Sequence, residues 1–176
     1  MHRFYSVKSY ELFKAVSPDL GQNIFRYLRE EQKEVYKSVL TSLAGRKKLR
    51  PVFVQRKPVD KQITWLLDTS KLRVSEDIGE NVLQIWLLKS QKDMLVSFLD
   101  AVGIEHDDDA GIDDLPDELD PAKLKSAVDS LLENYPAEIV TLYLEMFQLQ
   151  QPGGWQALRD LLDTDDRLFL GEAPAA

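Results

Sequence analysis

The stretch SPDLGQNIFRYL, residues 17–28, returns 58 residues later as SEDIGENVLQIW, residues 75–86. Both copies open on a serine, then carry aspartate (Asp19, Asp77), glycine (Gly21, Gly79) and asparagine (Asn23, Asn81) at matching places. Ser17 followed by Pro18 reads as a helix N-cap with proline at the first helical position, where its missing N–H costs nothing. Ser75 is followed by Glu76 and Asp77, which suit the positive end of a helix dipole. Asn134 with Pro136 reads as a third start.

Aligned at a spacing of 58, Ala137 joins Gly21 and Gly79, Val140 joins Ile24 and Val82, Tyr143 joins Tyr27 and Ile85, and Leu144 joins Leu28 and Trp86. The helix that follows aligns at 59: Gln32, Gln91 and Gln150; Leu40, Leu99 and Leu158; Leu43, Val102 and Leu161. Apolar residues at three- and four-residue intervals form a helical stripe, and any two amphipathic helices can be slid until their stripes agree. Shared serine, aspartate and asparagine are not required by periodicity, so they argue for a repeat. The small residue in the first turn would let a neighbouring helix approach closely.

The pattern predicts an all-α protein of stacked helical hairpins, a short solenoid-like bundle with a period of about 59 residues. One domain over residues 1–176 would hold units 1–58, 59–117 and 118–170, with residues 171–176 a disordered tail. The third unit departs from the others, since QPGGW at 151–155 breaks its hairpin, as a capping unit would. Further helices are expected over residues 4–15, 58–68 and 120–133, the last with Asp120 as N-cap. Val52, Phe53 and Val54 between prolines predict one short extended linker. The segment HDDDAGIDDLPDELD, residues 106–120, has too few apolar residues for core and is expected to be mobile, or held by a cation or a basic partner. Trp65, Trp86 and Trp155 lie near leucines at helical spacing and read as core; Trp155, after PGG, either anchors the third hairpin or stands exposed as a binding aromatic.

A chain of 176 residues can bury roughly two thirds of its unfolded surface, enough for a real core. It has no cysteine, which removes disulfide and thiolate chemistry. It shows neither a signal-peptide apolar run nor a membrane span, and a cytoplasmic protein is expected.

Charge narrows the partners. Net charge is −8, yet residues 1–58 hold 13 Lys or Arg against 5 Asp or Glu, residues 59–117 hold 5 against 14, and residues 118–176 hold 4 against 11. Within the basic third, Arg46, Lys47, Lys48, Arg50, Arg56 and Lys57 gather with no acid among them. Such a field attracts anions, so these six residues are the candidate binding site. A protein partner with an acidic surface is the first expectation; nucleic acid or an anionic lipid surface is the alternative, weakened by two acidic thirds and by Phe53 as the lone stacking platform. A solvated connector, or pairing with residues 107–109 within the chain or on a second copy, accounts for the same charges. Self-association is therefore possible.

No cofactor is expected, and no metal site. The aspartates at 107–109, 113, 114 and 117 are hard oxygen donors, but an EF-hand register with its glycine at Gly111 would need acids where His106 and Ala110 stand. No nucleophile elbow, phosphate loop or zinc-protease motif occurs, and neither His2 nor His106 sits in a catalytic motif. Pairs such as Glu30 and Glu31 read as exposed helix surface. The expected role is a non-catalytic interaction or adaptor module. The alternatives are polyanion binding through residues 46–57 and an enzyme with a carboxylate-based site.

Overall fold

A computed structural model describes residues 7–172 of the chain. His2, the first three residues of the helix expected over 4–15, and the last four of the expected tail lie outside the described residues. Among the described residues the protein is all-helical, without a strand. The helices are α1 Ser9–Ala15, α2 Pro18–Glu31, α3 Lys33–Arg46, α4 Pro51–Gln55, α5 Val59–Ser70, α6 Glu76–Ser90, α7 Lys92–Val102, α8 Pro121–Asn134, α9 Ala137–Gln148 and α10 Gln156–Thr164, with a 3₁₀ turn at Arg73–Ser75. No helix is long and apolar enough to cross a membrane. Contacts divide the chain into two compact units, residues 8–86 and, with Val7, residues 87–172; the division falls inside α6.

In the first unit, Ser17 caps α2 as expected: its Oγ accepts from Leu20 N–H at 3.3 Å, and Pro18 takes the first helical position. A one-residue break at Gln32 (φ −134°, ψ 59°) separates α2 from α3. Gln91, its partner in the alignment, makes the same break between α6 and α7 (φ −120°, ψ 25°). The aligned positions share burial: Ile24, Val82 and Val140 are fully buried, and Leu28, Trp86, Leu144, Leu40, Leu99 and Leu158 are buried too.

The two aligned glycines are both close-packing sites, and their partners are exchanged. A Cβ on Gly21 would stand 2.7 Å from Leu67 Cδ1, and one on Gly79 would stand 2.8 Å from Ser9 Oγ and 3.1 Å from Phe13 Cε2. Ser9 and Leu67 are themselves 58 residues apart. The leading helix of each half therefore covers the glycine of the other half. Glu76 adds a second tie, because its carboxylate accepts from the N–H groups of Ser9 (3.2 Å) and Tyr10 (3.3 Å), two of the orphan donors at the start of α1.

Three local expectations are corrected. Residues 51–55 are not extended but form α4. Pro51 sits at its first position with Arg50 extended before it (φ −73°, ψ 133°), and one helical turn buries Val54 completely. Ser75 does not cap α6; buried in the 3₁₀ turn, it donates its hydroxyl to the Thr69 carbonyl at 2.8 Å. That carbonyl also accepts from Leu72 N–H at 3.1 Å, so the hydroxyl takes its second acceptor position and ties the 3₁₀ turn to the end of α5. Asn134 ends α8 rather than starting α9, with Nδ2 donating to Ser130 O at 2.8 Å. Tyr135, held extended by the following Pro136 (φ −136°, ψ 153°), makes the break.

The second unit is centred on aromatics. Phe98 meets Tyr143 and Phe147 edge-on at 5.3 and 5.2 Å, and Phe147 stacks on Trp155 at 4.8 Å. Trp155 is 2% exposed, which agrees with the core reading and excludes the alternative of an exposed binding aromatic. Its Nε1 donates to Pro116 O at 2.8 Å, and the Gln148 amide brackets its backbone N–H and carbonyl, both at 3.0 Å. Gly154, at φ +65°, is where that amide passes too close for any Cβ. Trp86 is also buried; Trp65 is half-buried.

Candidate functional site

The six cations singled out by sequence lie where α3, α4 and α5 meet, and one of them is already engaged. Arg46, the last residue of α3, forms a two-pronged pair with Asp77, NH1 to Oδ1 at 2.8 Å and NH2 to Oδ2 at 2.7 Å, and donates to Val74 O at 2.7 Å. The pair holds the Asp77 carboxyl below its usual range and Arg46 above its own. Lys47, Lys48, Arg50, Arg56 and Lys57 are exposed and make no side-chain hydrogen bond or ion pair among the described residues. Lys47 and Lys48 follow the C-terminus of α3, whose negative dipole end favours cations.

Of the apolar half of this surface, sequence reasoning named Phe53 alone. Of seven large apolar residues exposed among the described residues, four lie here: Leu49, Val52, Phe53 and Val59. Phe53 is the most exposed of them at 58%. With Val54 pointing into the core, helical geometry turns Val52, Phe53 and Arg56 outward, and Lys57, in the turn after α4, is exposed as well. The signal was present in VFV behind a proline, but an extended reading cannot say which of the three faces water.

The corner is also braced from below. Gln62 of α5 donates through Nε2 to the carbonyls of Gln55 (2.9 Å) and Lys57 (3.0 Å), and its Oε1 accepts from the Tyr36 hydroxyl at 2.8 Å. Burial raises the pKa of that phenol, so it stays a donor. The carbonyl of the last α4 residue and that of Lys57 in the turn after it are thereby satisfied, and the turn carrying Arg56 and Lys57 is tied to α5.

The acidic segment of the second unit is organised by the chain's own groups. The Asp107 carboxylate accepts from the N–H of Asp109 (2.9 Å) and of Gly111 (2.7 Å), which holds its carboxyl below the usual range. Lys92 pairs with Asp109 at 3.1 Å. His106 places Nδ1 2.7 Å from Asp107 O and Nε2 2.6 Å from Asp100 Oδ1. Both neighbours are acceptors, and only the doubly protonated ring can donate to both. The Asp107 carbonyl and the Asp100 carboxylate accordingly raise the His106 pKa. In this geometry neither ring nitrogen offers a lone pair as a base. Among the described residues, no three acidic or histidine side chains converge on a common point as metal ligands do.

Beside this loop lies an open cleft of ≈ 620 Å³. Ile104 and Leu119, both buried, contribute to its floor, while Glu105, Asp113, Asp114 and Glu118 line it with exposed carboxylates. The side chains of these four make no ion pair or hydrogen bond among the described residues.

No known protein family, curated protein or solved structure matches this chain.

Proposed function

We propose that the protein is an interaction or adaptor module, and that its contact surface is the corner of α3, α4 and α5, which takes a protein partner with an acidic surface. One observation carries the reading: five cations without a counter-charge surround exposed Leu49, Val52, Phe53 and Val59 on a braced turn. Contact surfaces combine apolar anchors with charge that sets orientation and encounter rate. The helical scaffold behind the corner is read as a repeat of about 59 residues. The matching breaks at Gln32 and Gln91 support it, as do the exchanged contacts of Gly21 with Leu67 and of Gly79 with Ser9. Within residues 8–86, an exchange of that kind fits α1 and α2 related to α5 and the start of α6 by a local two-fold better than an open stack, in which contacts would step forward from one repeat to the next.

The test is titration of labelled polyglutamate into the protein at low salt, followed by anisotropy. Reversing Lys47, Lys48, Arg56 and Lys57 to glutamate is expected to weaken binding by at least ~10-fold. Equal binding by the reversed variant, or none by the native chain, refutes the assignment. Tighter binding of a single-stranded oligonucleotide, with affinity falling steeply as salt rises, would favour the polyanion alternative, in which exposed Phe53 is a stacking platform.

A further inference from the structure

The basic corner and the acidic cleft are opposite in charge and matched in chemistry. The corner presents an aromatic ring, 58% exposed, with cations on both sides of it in the chain. The cleft, at ≈ 620 Å³, is within the size of pockets that hold drug-sized ligands, roughly 300–1,000 Å³, and sets the apolar Ile104 and Leu119 behind a rim of carboxylates. We propose that a second copy of this chain is a partner of the corner: Phe53 and Val52 of one protomer seat in the cleft of the next. There Lys47, Lys48, Arg56 and Lys57 meet Glu105, Asp113, Asp114 and Glu118. This rests on the corner being a contact surface, and names its occupant.

Corner and cleft are different parts of the chain, so two protomers either exchange them reciprocally about a two-fold axis, or join one corner to one cleft and extend head to tail until a ring closes or a filament grows. The charges engaged are exposed, so the association is sensitive to salt. The carboxylates assigned to it are those without internal work. Asp107 holds its loop, Asp109 pairs with Lys92, and Asp120 caps α8, whereas Glu105, Asp113, Asp114 and Glu118 are exposed and uncommitted among the described residues.

The experiment uses sedimentation velocity on the full chain at about 100 µM and low salt, where contacts of micromolar strength are populated. Three proteins are compared: the native chain, a corner variant (Lys47→Glu, Lys48→Glu, Phe53→Ser) and a cleft variant (Glu105→Lys, Asp114→Lys, Glu118→Lys). All replaced side chains are exposed, and far-UV circular dichroism checks that each variant folds. The native chain is expected to form oligomers that dissociate as salt is raised, and each variant alone to remain monomeric. Mixing the variants leaves one intact corner and one intact cleft, which should yield a dimer that grows no further. A monomeric native chain, a variant that associates like the native chain, or a mixture that stays monomeric overturns the proposal. If the native chain is monomeric yet still binds polyglutamate through the corner, self-assembly fails while the contact surface stands. If it is monomeric and instead binds phosphatidylserine vesicles in a Phe53-dependent way, the occupant is a lipid surface and the proposal is wrong. Should corner reversal alter neither association nor polyglutamate binding, both readings fall together.

Discussion

Replacing Gly79 by alanine should destabilise the protein, although alanine is the better helix former. In a helix interior the exchange ordinarily gains about 1 kcal/mol. Here the new Cβ would lie 2.8 Å from Ser9 Oγ and 3.1 Å from Phe13 Cε2. Neither neighbour can yield easily. The Ser9 hydroxyl donates to the Glu76 carbonyl at 2.6 Å, its N–H donates to the Glu76 carboxylate, and the residue is fully buried. Phe13 is 1% exposed and stacked on Phe25 at 5.7 Å. Overpacking of this kind costs about 1–3 kcal/mol, and displacing a buried hydrogen bond costs about 1 kcal/mol more. Against the helix gain, the net loss is about 1–3 kcal/mol, a fall in Tm of about 2–10 °C for a chain of this length.

Urea unfolding followed by far-UV circular dichroism measures the loss, with Gly45→Ala as control. A Cβ there meets nothing within 4 Å, so that change should stabilise by about 0.5 kcal/mol. Ser9→Ala removes the closer clash and leaves the Ser9 Cβ at an ordinary 3.4 Å, so Gly79→Ala should cost less in that background, with a coupling of about 1 kcal/mol. A Gly79→Ala protein as stable as the native chain, or strict additivity with Ser9→Ala, would refute the exchanged packing on which the first unit is argued.

Two further outcomes are expected. Trp155→Phe keeps the stack on Phe147 but strips Pro116 O of its donor and should lower stability by about 1–3 kcal/mol, whereas Trp155→Ala should cost about 3–5 kcal/mol, both read by urea unfolding. For His106 the folded pKa is raised, so the contribution of the protonated ring is fully present below the ordinary value of 6.5 and is lost as pH rises through the folded value. Proton NMR should place its titration midpoint above 6.5, with exchange protection of the Gly111 amide falling through the same range and that fall absent in His106→Gln; a midpoint at or below 6.5 would contradict the two-acceptor geometry.

Much of the corner was legible because charge needs no fold to be counted: the six cations fall within residues 46–57 and share one corner of the fold. What they do depends on partners the sequence does not pair. Arg46 lies 31 residues from Asp77, and nothing in either segment announces that the two will join and withdraw one cation from the set. Phe53 depended on a helix register, and the register turned on whether Pro51 opens a helical turn or limits an extended strap; burial of Val54 favours the turn. The acidic segment misled in the other direction. Its composition is poor in apolar residues, yet Ala110 and Leu119 are buried, and hydrogen bonds of Asp107 and His106 that composition does not encode organise the rest.

By itself the sequence determined the helical class, the starts at Ser17 and Asp120, the burial of Ile24, Val82 and Val140, and the separation of basic from acidic thirds. All follow from local periodicity, capping chemistry and charge, which act within a few residues. Tertiary structure alone decided that Gly21 meets Leu67 while Gly79 meets Ser9, that Trp155 is core, that Arg46 is paired, and that Ser75 points at a buried carbonyl. These outcomes arise because close packing and the satisfaction of buried polar groups join residues far apart in the chain, and a side chain's competing local preferences are settled only when its distant neighbours arrive.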